Sequence, residues 1–289
     1  MPGSLVLHTH SHRLRPAAYT CCMDVRIGGV SVHCAEYGAG MPVLALHGAG
    51  VDHREVAGAL EPVFSEIPNY RRLYPDLPGM GLTPAPGTIT SNDDVLDLLL
   101  GLIDHVIGDE PFLLLGHSYG GYLARALAAL RPHQAVGLTL ICPVGAHTQD
   151  VPAHEVLVSQ AGLPGGLDPD LEATYRDYFV VQTPETLRSF KDRVAPSAKL
   201  VDEAALTRVF ARWELRDRPE AAHTYPHPVL ILAGRQDATA GYAGQLELAK
   251  HYRRATVAVL DRAGHALFHE QPKLVQAHIA EWLQRVRGR

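Results

Sequence analysis

Short, wholly apolar runs alternate along this chain with stretches whose apolar residues recur every third or fourth position. Residues 22–28 (CMDVRIG) and 30–37 (VSVHCAEY) read as two strands meeting at Gly28-Gly29, a hairpin signal. Residues 43–46 are fully apolar, as in a strand buried inside a parallel sheet, and run into His47-Gly48-Ala49-Gly50. A helical region follows, then a strand over 72–76 and a Pro- and Gly-rich turn over 77–83. Ser91 or Asn92 caps a helix with Val95, Leu98, Leu99, Leu102 and Val106 on its apolar face. Residues 112–115 form the next strand, and Tyr122, Leu123, Ala126 and Leu127 mark a helix that stops near Arg131-Pro132. Residues 136–141 are one more strand.

The alternation predicts an α/β fold: a mostly parallel, doubly wound sheet of about eight strands with helices on both faces. Residues 145–225 break it, with Pro-rich turns, helical patches at 171–181 and 202–216 and no convincing strand. That is too long for a connection and is read as an inserted helical lid. The sheet resumes at 229–233, continues through a helix near 242–251 and a strand at 255–260, and ends in a helix over 272–286. The expected organisation is a tail over 1–21, a core over 22–144 and 226–289, and the lid over 145–225.

Residues 116–120 (GHSYG) lie where a strand turns into a helix. Glycines on either side of Ser118 remove Cβ atoms from a tight turn and leave its Oγ beside the amides of a helix N-terminus. Taken alone, the stretch also reads as a β–α turn with an exposed serine. The Gly-rich 47–50 loop is either a plain connection or a source of N–H donors for an oxyanion. Asp237 and His265 fall, like Ser118, just past the carboxyl ends of predicted strands, the edge where open parallel sheets bind ligands.

The motifs HGAG at 47–50, DLPGMG at 76–81, GHSYGG at 116–121, GRQD at 234–237 and AGH at 263–265 stand in order on these elements. With them the sequence resembles the α/β-hydrolase family over nearly all of residues 22–286, and the insertion after the sixth strand is where that family places its lid. The resemblance implies a serine hydrolase with Ser118 as nucleophile, His265 as base and Asp237 orienting the imidazole. The backbone N–H groups of Tyr119 and Ala49 would form the oxyanion hole, with Gly50 as the alternative to Ala49. His47 is expected to brace its loop, Asp76 to hold its turn and His117 to pack beside the nucleophile; Asp261 is a rival for the acid position. His47, Gly48, Tyr175, Phe179 and Trp213 are candidate pocket residues, with Tyr178, Phe190 and Phe210 as further lid aromatics. The implied reaction is hydrolysis of a small or medium apolar ester, lactone or thioester through an acyl-enzyme, without cofactor or metal. Serine rather than aspartate at the turn argues against haloalkane dehalogenase and epoxide hydrolase chemistry. Carbon–carbon bond hydrolysis, cofactor-free perhydrolysis and a ligand-binding receptor that keeps the triad stay open.

Composition narrows the setting. A formal charge of -5 gives no electrostatic case for nucleic acid or an anionic membrane as partner, and no run suits a bilayer span. Cys21, Cys22, Cys34 and Cys142 show neither zinc spacing nor a disulfide framework. His8, His10 and His12 alternate in a start that lacks the features of a secretory signal and is read as a tail. The expectation is a cytoplasmic protein acting on a small-molecule acyl substrate.

Overall fold

The computed structural model describes residues 19–145, 151–163, 166–220 and 225–288. Strands β1 (Tyr19–Ile27) and β2 (Val30–Tyr37) form the expected hairpin, and β3 (Met41–Leu46) leads through α1 (His53–Glu66) to β4 (Tyr70–Pro75). Helix α2 (Asn92–Val106) is capped by Ser91, whose side chain accepts from the Asp94 N–H. Then come β5 (Phe112–His117), α3 (Ser118–Leu130) and β6 (Ala135–Ile141). The segment between β6 and the resumed sheet holds β7 (Val158–Ser159), α4 (Pro169–Tyr178), β8 (Val181–Gln182), α5 (Pro184–Arg193), a 3-10 turn (Ala195–Leu200) and α6 (Glu203–Phe210). Strand β9 (Val229–Gly234), α7 (Ala243–Ala249), β10 (Ala255–Leu260), α8 (Leu267–Glu270) and α9 (Pro272–Arg287) complete the chain.

The main sheet has the order β1-β2-β4-β3-β5-β6-β9-β10. Pairing is antiparallel for β1–β2 and β2–β4 and parallel from β4 to β10. Side chains alternate between two cores with the period of the strands. Phe112 and Leu114 join Leu44, Leu46, Val229 and Ile231 under α2 and α3, whereas Leu113 and Leu115 join Val43, Ala45, Leu230 and Leu232 under α1 and α9. This two-sided burial is why the central strands read as unbroken apolar runs. Their parallel direction brings the ends of β3, β5, β9 and β10, and the loops that follow, to one edge.

The inserted segment has its own small core, in which Tyr175, Phe179, Leu187 and Phe190 pack with Val51 and Ala266 of the main body. Three expectations are corrected here. The predicted 171–181 helix ends at Tyr178 because the chain turns extended at Phe179 and β8 pairs with β7, so the segment does contain a short strand pair. The 202–216 helix stops at Phe210, and α5 lies outside both predicted helical patches. Strand pairing starts at Tyr19, inside the expected 1–21 tail, while residues 1–18, with His8, His10 and His12, lie outside the described residues. Arg125 of α3, fully buried, holds Glu220 at the far end of the insertion through two 2.6 Å hydrogen bonds.

Among the described residues there is no disulfide: Cys21 and Cys22 are exposed thiols, Cys34 and Cys142 buried ones. No helix of the described residues is long and apolar enough to cross a membrane.

Candidate active site

Ser118 stands at the junction of β5 and α3 with a backbone φ of +51°, a left-handed conformation that side-chain-bearing residues rarely adopt. The turn closes this tightly because its flanking glycines touch backbone. A Cβ at Gly116 would lie 2.3 Å from the Gly120 carbonyl oxygen, and one at Gly120 would lie 2.4 Å from that of Leu46. Ser118 Oγ donates to His265 Nε2 at 2.8 Å, and His265 Nδ1–H faces both Asp237 oxygens, at 3.1 and 3.0 Å. A carboxylate can only accept, so this partner fixes the imidazole with its proton on Nδ1 and its lone pair toward the serine.

Asp237 is fully buried on the loop after β9, and its Oδ1 also accepts from the Thr239 and Ala240 amides at 2.9 Å. Burial opposes its charge, but His265 and these two amides outweigh it and hold the carboxyl below its usual range. Asp261, the rival, is exposed and accepts from Gln236 Nε2 at 3.0 Å. Cys142 Sγ lies close to Asp237 and His265, but burial first and the Asp237 charge second push its thiol well above the normal range. It is therefore a protonated packing group.

The loop after β3 forms the facing wall. His47 is fully buried, donates from Nδ1 to the Gly48 carbonyl at 2.7 Å and accepts from the Leu77 amide at Nε2, 2.9 Å. It braces two loops and does not line the cavity. The Gly50 N–H is directed at Met80 Sδ, 3.3 Å away. Asp76 accepts from the His53 amide and ring and from the Leu82 amide at 2.8 to 2.9 Å, clamping the 76–83 turn to the start of α1. Burial raises its pKa, but the His53 contacts prevail and bring it down to about 2.

A cavity of about 360 Å³ opens between this loop, Ser118, His265 and the inserted helices. Gly48 and Ala49 line it, and so do Tyr178 and Val194 from the insertion. The expectation for Tyr175, Phe179 and Trp213 is corrected. Tyr175 and Phe179 are turned into the core of the insertion, and Trp213 stacks on Tyr122 at 5.4 Å. Helix α4 presents one face to its own core and another to the cavity, so aromatic content alone misjudges which ring faces which. A larger groove of about 660 Å³ runs along the 79–86 turn, and none of Ser118, Asp237 and His265 borders it.

Two buried acids escaped the sequence reading. Glu270, on α8, accepts from the amides of Val180, Val181 and Gly264 at 2.6 to 3.0 Å, tying the insertion to the residue before His265. Burial holds its carboxyl up to about 7 although three amides donate to it. Glu55, in the first turn of α1, lines the cavity beside His117. Each would have required knowing which helix face is buried.

A model of the alpha/beta hydrolase family matches residues 43–277. The chain belongs to the alpha/beta hydrolase family. It is a hydrolase by that membership, and its relatives agree. A pimeloyl-[acyl-carrier protein] methyl ester esterase of Legionella pneumophila is 26% identical over 83% of this chain and 93% of its own length. A 2-hydroxymuconate semialdehyde hydrolase of a Pseudomonas species is 26% identical over 84% of this chain and 86% of its own. An alpha/beta superfamily hydrolase from Oenococcus oeni superposes with a TM-score of 0.82 at 28% identity, covering 89% of this chain and 96% of that one.

Proposed function

We propose that this protein hydrolyses small carboxylic esters through an acyl-enzyme formed on Ser118. The observation that carries the reading is the continuous hydrogen-bond line from Ser118 Oγ through His265 to the buried Asp237. His265 takes the hydroxyl proton as Oγ attacks the ester carbonyl, then delivers it to the departing alcohol. Asp237 stabilises the imidazolium that forms between these steps. Water repeats the sequence to release the acid.

The oxyanion receives the Tyr119 N–H, which sits in the first turn of α3 and has no carbonyl to serve within the helix. Ala49 supplies the second donor, because the Gly50 N–H is committed to Met80 Sδ. A cavity of about 360 Å³ suits a small or medium acyl group. Among the described residues no lysine or arginine lines it, whereas Glu55 and Asp177 do. That favours neutral or cationic esters over carboxylate-bearing compounds such as the muconate in the Pseudomonas relative's name. Exposed thiols at Cys21 and Cys22 fit a reducing compartment such as the cytoplasm.

Stopped-flow hydrolysis of p-nitrophenyl acetate, butanoate and octanoate tests the reading. A burst of about one nitrophenolate per protein, with the shorter esters favoured, is expected. Turnover without a burst that survives in Ser118→Ala would remove the acyl-enzyme.

A further inference from the structure

Asp237 and Ser118 set which way the His265 ring faces, but how near it stands to the serine depends on the backbone that carries it. Residues 261–266 belong to no helix or strand, so their anchors come from elsewhere. The Ala263 carbonyl accepts from the Gln236 amide at 2.9 Å, and the His265 carbonyl faces His117 Nε2 at 3.1 Å. Between these two, the Gly264 N–H donates to Glu270 Oε2 at 2.6 Å. Gly264 is also closely walled. A Cβ at Gly234 would lie 2.2 Å from its carbonyl oxygen, and one on Gly264 itself would lie 3.0 Å from Val180 Cγ1.

Glu270 is braced in turn. It is buried at the end of α8, and its Oε1 accepts from the Val180 and Val181 amides at 2.7 and 3.0 Å, where the insertion enters β8. One oxygen thus serves the insertion and the other the loop of His265. All three partners are main-chain N–H groups, which cannot rotate away. An ionised carboxylate satisfies them together, because both of its oxygens only accept. A glutamine amide of the same shape cannot. It must turn its NH₂ toward either the Gly264 N–H or the pair at 180 and 181, and a buried donor that faces a donor goes unmet.

We propose that Glu270 is a positioning residue for the reaction: braced by the amides of Val180 and Val181, it holds Gly264 and thereby keeps His265 within reach of Ser118. This role rests on the reading of His265 as the general base given above. The His265 Nε2–Ser118 Oγ separation of 2.8 Å suits proton transfer, and a misplacement of about 1 Å costs about a hundredfold in rate.

Glu270→Gln tests it at about pH 8, where the wild-type carboxyl, held up to about 7, is mostly ionised. We expect kcat for p-nitrophenyl acetate to fall about tenfold or more with KM within about threefold of wild type, the split of an interaction that serves the transition state rather than substrate binding. A lower melting temperature with wild-type kcat overturns the proposal, because Glu270 would then be a structural clamp alone. A loss confined to KM also overturns it, by assigning Glu270 to the cavity wall. A second readout needs no ester. The His265 Nδ1 proton shared with Asp237 gives a far-downfield NMR resonance, identified by its loss in His265→Ala. It is expected to shift or broaden in Glu270→Gln, and an unchanged resonance overturns the positioning role whether or not the protein hydrolyses esters. Should Glu270→Gln not fold, Glu270→Asp decides by the same readouts, since it keeps the charge but is one methylene too short to span both sides. The same losses there support the role, and wild-type kcat or an unchanged resonance refutes it.

Discussion

Ser118 is held at φ +51° by contacts that leave no room for a side chain at Gly116 or Gly120, so its hydroxyl is fixed before any substrate arrives. The same economy marks His265, whose two nitrogens have one partner each, Asp237 on one side and Ser118 on the other. Asp237 determines which nitrogen carries the proton. Asp237→Asn presents an amide that can donate to Nδ1 and so favours the wrong tautomer. We expect kcat to fall by about four orders of magnitude, by analogy with serine proteases, with the fold intact by circular dichroism. A fall of tenfold or less would mean that another acid serves, and exposed Asp261, bonded to Gln236, is not positioned to do so. At this scale the candidate triad was legible because each member lies in a short motif directly after an apolar run. Glu55 was not: an acidic residue in the first turn of a helix reads as dipole complement or solvated face, and only the packing of α1 reveals that this one is buried.

At the scale of elements, the central strands were the easiest to read, since burial on both faces leaves no polar position to confuse the period. Helix α5 was the hardest. PETLRSFKDR buries only Thr186, Leu187 and Phe190, too few to register as an apolar stripe. A signal did exist in its capping box, where the Thr183 and Thr186 side chains serve each other's backbone amides on either side of Pro184. The overrun of α4 has a different cause: residues 178–181 (YFVV) are apolar without a break, a run compatible with helix or strand, and pairing with β7 selected the strand.

The loops between elements carry their own energetics, and Asp76 is the clearest case. Its carboxyl is held down to about 2 in the folded chain, against 3.8 for the free group. A depressed carboxylate pKa contributes stability that is present above the free value and lost as pH falls toward the folded one. Asp76→Asn should therefore lower the unfolding free energy by about 2 kcal/mol near neutral pH, from the linkage relation. The gap from wild type should close as pH falls through about 3.8 toward about 2. Urea unfolding across that range measures it, and a gap that does not change with pH would show that the clamp acts through shape rather than charge.

Viewed whole, the molecule gathers residues 118, 237 and 265, distant in sequence, at one sheet edge because the strands that precede them are parallel neighbours in the order β5-β6-β9-β10. That convergence was legible, since alternating strands and helices leave few other topologies. The cavity was not. Its outer wall comes from inserted helices whose facing sides depend on how α4 and α5 pack against Val51 and Ala266, a tertiary fact with no local signature. Hence the reaction class could be read from the chain, whereas the charge of the pocket wall emerged from the structure alone.

Whether Ser118 is an activated nucleophile can be read from intact-protein mass spectrometry after brief exposure to a fluorophosphonate. We expect one stoichiometric adduct on the wild type, mapped to Ser118, and none on Ser118→Ala. An unlabelled wild type, or an adduct that persists in Ser118→Ala, would contradict it.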